Sequence, residues 1–331
     1  MATSRYCSRV VLTLFALTVL FATAKAADPG LPYPPEAEMS DQKAGSVLIY
    51  NLYTSSAASG SQNSRIAVTN TSGTSAAFVH MFMIDGATCS VADSFLCLTT
   101  FQTTTFLASD MDPGISGFII MIAVDGILGC PAQHNFLIGD VFVKFASGLH
   151  GNLQAEAVSA LMDPPAICDD TSLTASLVFD GIAYNRLPLN LAVDNFPSPN
   201  DGFVSRVWVN RIGGSLLGQT ASIGNLFGRV FNDAENGVST TFGPYGCRGT
   251  FEISDTGIRT TPPISTFIPA NTSGWITFSP TNPGVAITGA ILTGHASAAT
   301  VRNAFNGGRN LHKLSFAPTS VLIKPIFAPT C

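Results

Sequence analysis

Hydrophobic positions in this chain fall into short runs separated by Gly, Pro, Asp and Ser, with a period of two more often than one of 3.6. The longest such run beyond the N-terminus lies between Ile115 and Leu128. Its core, Phe118 to Val124, is β-branched and aromatic, opens after Pro113-Gly114 and closes at Asp125-Gly126, which predicts a central strand buried on both faces. Ser46 to Tyr53 reads as another strand. Arg65 to Thr71 alternates apolar and polar residues, and the turn Ser72 to Ser75 leads into Ala77 to Ile84, so residues 64–84 are expected to form a β-hairpin.

The second half repeats this grammar. Ser64-Arg65-Ile66-Ala67-Val68-Thr69-Asn70 matches Ser205-Arg206-Val207-Trp208-Val209-Asn210. Thr105-Phe106-Leu107-Ala108 followed by Gly117-Phe118-Ile119 matches Thr266-Phe267-Ile268-Pro269 followed by Gly274-Trp275-Ile276. The wider spacing of the second set implies an insertion, in which Ile223, Leu226, Phe227, Val230 and Phe231 recur at helical spacing. One short helix is expected there, although Gly224 and Gly228 lower its propensity. Many short strands and no alternating strand-helix rhythm predict an all-β fold of two tandem, related β-sandwich domains, Ig-like by default, with a jelly roll as the alternative. The expected division is a signal peptide over 1–26, an arm over 27–43, a first domain over 44–165 and a second over 166–331, the boundary falling where Pro and Asp interrupt both periods between Met162 and Asp170.

Composition adds a compartment. Arg5 and Arg9 precede the apolar segment Val10 to Phe21, which ends at the small-residue pattern Ala24-Lys25-Ala26, the layout of an export signal. No later run is long enough to span a bilayer as a helix. Three of the 16 basic residues would leave with the signal, so the mature chain carries a charge of about −8 against its 21 acidic residues and has no Lys/Arg cluster. Nucleic acid and anionic lipid are therefore poor partners, whereas protein or glycan at a cell surface remains compatible, and the protein is expected to be secreted or periplasmic.

Cys7 lies within the signal, leaving Cys89, Cys97, Cys130, Cys168, Cys247 and Cys331. An even count in an exported chain predicts three disulfides, although the sequence alone does not choose among the roughly 15 arrangements. A terminal Cys331 makes most sense as half of a bridge, with Cys247 of the second domain as its expected partner, which leaves Cys89 with Cys97 and Cys130 with Cys168. No C-x-x-C pair points to zinc.

Chemistry is sparse. Asp85, Asp110, Asp112, Asp125 and Asp140 sit in or beside residues 87–145, the stretch around the long apolar run. Asp110 and Asp112 offer calcium oxygens from one loop, yet Asp before Gly or Pro is first a turn residue. The histidines His80, His134, His150, His295 and His312 are scattered singly. Ser40 and Lys43 match S-x-x-K by letters but lack the companion motifs, and no G-x-S-x-G nucleophile elbow occurs. Tyr50, Tyr53, Trp208, Tyr245 and Trp275 offer a platform for sugar rings if exposed, and core if not. Asn70 and Asn271 head glycosylation sequons that also suit turns. No catalytic, cofactor or metal residue is assigned.

The runs ATCSVADSFLCL, FLASDMDPG, FLIGDVFVKF and AFNGGRNLHKL resemble a group of uncharacterised exported bacterial proteins, a resemblance that covers most of the mature chain and implies export without any activity, cofactor or partner. The expected function is a non-enzymatic structural or adhesive protein of the cell envelope or extracellular matrix. A carbohydrate-binding module is the first alternative and an extracellular hydrolase the second.

Overall fold

Phe118 to Val124 does form the doubly buried strand that its composition calls for. In the computed structural model, which describes residues 38–325 apart from 57, 59–61, 170, 172, 296 and 298–304, it belongs to a strand paired on both sides. The proposed signal, most of the arm and Cys331 lie outside the described residues.

The first half contributes β1 (Val47–Thr54), β2 (Asn63–Asn70), β3 (Ala77–Asp85), β4 (Val91–Leu98), β5 (Thr103–Leu107), the single helical turn α1 (Ala108–Met111), β6 (Ser116–Val124), β7 (Leu137–Lys144), β8 (His150–Gln154) and β9 (Glu156–Val158). The connecting strands are β10 (Cys168–Asp169) and β11 (Thr174–Phe179). The second half contributes β12 (Leu187–Pro197), β13 (Phe203–Ile212), β14 (Gly214–Ser215), β15 (Gly224–Asn232), β16 (Gly237–Tyr245), β17 (Arg248–Glu252), α2 (Ile264–Phe267), β18 (Ser273–Pro280), β19 (Ala286–His295), β20 (Gly307–Asn310), β21 (His312–Ala317) and β22 (Thr319–Ile323).

These strands make five sheets: β4-β3-β6-β1-β9, β5-β2-β7-β8, β17-β13-β19-β20, β16-β15-β18-β12-β21 and β10-β11-β22-β14. We refer to them as the first to the fifth sheet in that order. They are arranged as a five-bladed β-propeller, which corrects the expectation of two tandem Ig-like β-sandwich domains. The physical reason lies in where apolar surface goes. Each sheet of an isolated sandwich buries one face, whereas the first sheet buries both. Leu48, Met81 and Ile119 face the second sheet, while Ile49, Phe82 and Ile120 face Leu177, Phe179 and Val321 of the fifth. Trp208, Ala290 and Leu292 from the second half join the core of the first, so the described residues form one compact unit. At about 1.5–3 kcal/mol for each fully buried large apolar side chain, these shared cores give the two halves a strong reason to stay together.

The ladders nevertheless follow one plan twice. β1 pairs with β6 and β9, and β12 with β18 and β21. β2 pairs with β5 and β7, and β13 with β17 and β19. Bulges fall between Tyr50 and Tyr53 in β1 and between Val193 and Phe196 in β12. Arg65 and Arg206 sit on corresponding strands, while Phe106 lies within β5 and Phe267 closes α2.

Three local expectations change. Residues 64–84 are not a hairpin, because β2 pairs with β5 and β7 whereas β3 pairs with β4 and β6 in another sheet. The helix expected at residues 223–231 is strand β15: Leu226, Gly228 and Val230 point inward at period two, and Phe227 lies on the open face, so the helical spacing came from apolar residues on both sides of a strand. Among the cysteines, Cys130 does bond Cys168, but Cys89 bonds Cys247 across 158 residues, which excludes both the Cys89–Cys97 and the Cys247–Cys331 assignments. Loop length gave no hint of this, because the turn between β16 and β17 brings Cys247 to the Asp85–Ser90 turn only in the folded chain. These bonds indicate an oxidising environment. Among the described residues no helix is long and apolar enough to cross a membrane.

Candidate functional site

Among the described residues, two open sheet faces present side chains outside the core. The first is a groove of about 470 Å³ on the open face of the fourth sheet, lined by Ala192, Asp194, Trp275, His312, Lys313 and Leu314. Strand alternation creates it: Ile276 and Phe278 point into the core, which turns Trp275 outward with 38% of its surface exposed. Its indole stacks on Phe231 at 4.3 Å and 12°, and the Arg229 guanidinium lies 5.2 Å from the Phe231 ring centre. Beside it Asp194 receives Arg309 at 2.7 Å and His312 at 3.4 Å. Partial burial works to raise the Asp194 pKa, but the hydrogen bond and charge of Arg309, helped by His312, hold it below the usual carboxylate range. A fixed aromatic face next to a persistently ionised carboxylate can stack on an apolar ring face and accept hydrogen bonds from hydroxyls.

The second surface is the outer face of the second sheet. Leu107, Ile138 and Phe142 are 43%, 41% and 46% exposed there, and the register places Arg65 between Leu107 and Phe142. The sequence signal for this face was present in LIGDVFVK, where Ile138 and Phe142 are out of phase with the buried Leu137, Val141 and Val143. Next to it, a cleft of about 330 Å³ lies between Ser147 to Leu149 and the Arg206–Glu252 pair, which meets at 3.1 Å, with His295 and Asn306 on its wall.

The expected aromatic platform does not assemble. Tyr50 and Tyr53 are buried, their hydroxyls donating to the Ala67 carbonyl at 2.9 Å and the Asp112 carboxylate at 2.6 Å, and burial pushes both phenols far up. Trp208 is 2% exposed and stacks on Phe145 at 5.2 Å. Tyr245 is half-buried at the end of β16, leaving Trp275 to offer its ring to solvent.

The aspartates serve turns. Asp125 accepts from the backbone N–H groups of Ile127, Leu128 and Cys130, and Asp85 from Ala87 and Thr88. In both, desolvation would raise the pKa, but these donors outweigh it and lower it. Asp112 is occupied by Tyr53, Asp110 is exposed beside it, and Asp140 lies on β7 opposite Ala67 and Gln154. Among the described residues no group of three metal-ligating side chains converges.

The histidines stay dispersed. Buried His80 meets Asp93 at 2.9 Å between Phe82 and Phe95, and desolvation lowers its pKa despite that carboxylate. His134 meets the Asn70 amide oxygen at 2.9 Å, His150 the Gly148 carbonyl at 2.8 Å and His295 the Asp201 carbonyl at 3.1 Å. Lys43 donates to the Glu38 carbonyl and to Asn185, and Ser40 accepts from the Gln42 N–H, so the S-x-x-K letters pin the arm. Of the sequons, Asn70 is buried and donates to the Ser75 and Thr99 carbonyls, whereas Asn271 is exposed in a turn held by Asp201.

No family model and no curated protein matches the chain. Among solved structures, Thermotoga maritima 1070 aligns over 34% of this chain and 92% of its own at 6% identity and a TM-score of 0.26. The apo form of Pleurotus ostreatus lectin aligns over 87% of this chain and 80% of its own at 12% identity and a TM-score of 0.14. Both scores are too low to carry an argument about fold or function.

Proposed function

We propose that this is an exported, non-enzymatic structural or adhesive protein that works by surface contact in the cell envelope or extracellular matrix. The observation that carries the proposal is the outer face of the second sheet, where Leu107, Ile138 and Phe142 stand exposed around Arg65 and Asp140 within one ladder segment, apolar side chains that a partner surface has reason to cover. The disulfides suit a protein that must persist outside the reducing cytoplasm. Fractionation of the producing cells tests it. The mature chain is expected with the envelope or matrix fraction and to leave it on Phe142→Asp; a wild-type chain recovered wholly in the medium overturns the proposal.

A second reading, binding of a carbohydrate, is favoured by the Trp275 groove with its stacked Phe231 and ionised Asp194. A glycan array with the full chain checks it. Saturable binding that falls roughly tenfold or more on Trp275→Ala supports this reading, since loss of one stacking aromatic is worth over 1 kcal/mol in many sites. Binding that the variant leaves unchanged removes it.

A further inference from the structure

The contact between the halves is made by one face of the third sheet: Trp208, Ala290 and Leu292 are buried against the first half, with Trp208 on Phe145 and Asn210 donating to the Asn51 carbonyl at 2.8 Å. Asn51 in turn donates to Asn310 at 3.0 Å. Backbones come close, because a side chain on Gly151 would collide with Leu292 and Gly308. The ladder registers identify the same face in the first half. Arg206 lies opposite Leu292 as Arg65 lies opposite Phe142, Trp208 opposite Ala290 as Ala67 opposite Asp140, and Asn210 opposite Thr288 as Thr69 opposite Ile138. The third sheet's face is covered by the other half; the second sheet's is the exposed apolar surface described above.

The receiving side is duplicated as well. Aligning the bulges of β1 and β12 sets Asp194 where β1 has Asn51, and the β9 and β21 ladders set His312 where β9 has Glu156. Asn51 and Glu156 are buried, Glu156 reached by Lys313 at 2.7 Å. Asp194 and His312 are exposed. One chain thus holds an occupied joint between its halves, an exposed copy of the covering face on the second sheet and, around Asp194 and His312, an exposed copy of part of the receiving side, whose β20 already packs on β8.

We propose that the outer face of the second sheet docks a second copy of this chain, which presents its surface around Asp194 and His312, so that chains join head to tail as the halves already do. The inference rests on the reading of the protein as a structural one. Such a contact is heterologous: it closes into a ring or runs on as a filament, according to the rotation between copies.

Sedimentation of the full mature chain over a range of concentrations tests this. The wild type is expected to give masses above one chain. Phe142→Asp and Asp194→Lys, each checked for an unchanged melting temperature, are expected to sediment as single chains with association weakened roughly tenfold or more. An equimolar mixture of the two variants is expected to form two-chain species and nothing larger, because each retains the side the other lacks. A wild type that stays monomeric, variants that assemble normally, or a mixture that remains monomeric overturns the proposal. A monomeric wild type still held by the envelope fraction sinks the head-to-tail contact and leaves the structural role standing; an assembling chain found free in the medium does the reverse.

Discussion

β6 and β18 occupy the same place in the two ladder plans and have opposite surroundings. Both begin Ser-Gly-aromatic-Ile, yet β6 continues Ile-Met-Ile-Ala-Val and is buried along nearly its whole length, while β18 continues Thr-Phe-Ser-Pro and alternates. The difference lies in what covers them. The fifth sheet lies over β6, where Ile120 and Ile122 meet Leu177 and Val321; among the described residues no sheet lies over β18, and Thr277 and Ser279 face outward. One strand plan thus tolerates two hydrophobic patterns, because the pattern reports the number of neighbours rather than the topology.

Breaking the join between the halves should have the largest effect. Cys247→Ser removes a crosslink that closes 158 residues, for which the loop-entropy model gives about 5 kcal/mol. Calorimetry is expected to show a markedly lower melting temperature, and a thiol assay one free sulfhydryl at Cys89. Unchanged stability would mean that the shared cores alone hold the halves.

Giving β6 the residue of its counterpart comes next. Ile120→Thr puts an unpartnered hydroxyl into the doubly covered core and is expected to cost about 2–4 kcal/mol in denaturant unfolding. Thr277→Ala, on the open face, should stay within about 0.5 kcal/mol. Equal costs would erase the distinction between the two strands.

The smallest effect is one of pH. His80 lies beneath the fifth sheet, whereas the register places exposed Phe227 at its counterpart on β15. Desolvation sets the folded pKa of His80 below the ordinary 6.5, the pull of Asp93 notwithstanding, so the unfolded chain binds the proton more tightly. The stability contributed is full above the unfolded pKa and is lost as pH falls through the window beneath it. His80→Phe should flatten the stability profile between neutrality and mild acid, and a slope equal to that of the wild type would assign the acid sensitivity elsewhere.

The sequence made the strands legible and their grouping much less so. The apolar run at Phe118 revealed a doubly covered strand, while the Cys130–Cys168 bond was legible only as the remainder of a pairing scheme whose other two bonds the structure excludes. The fifth sheet left no local trace, because it joins residues 168–179, 214–215 and 319–323, three segments far apart in the chain. Cys89 met Cys247 for the same reason. In the candidate surfaces, Trp275 stood among the named aromatics, but its exposure depends on the missing cover over β18. Ile138 and Phe142 are not legible as surface, because an alternating strand beside a long apolar run reads as core on either phase.

β22 has a consequence in time. It pairs with β11 and lays Val321 and Ile323 over the apolar face carrying Ile120 and Ile122, although it follows every other described strand in the chain. A chain emerging N-terminus first can build the first two sheets early, but it must leave their largest greasy face open until this late strand arrives. Synthesis from the N-terminus therefore sets an order of events: whatever guards the nascent chain has to shield that face until β22 emerges, and truncation just ahead of Thr319 would strand it in the aggregation-prone state that precedes closure.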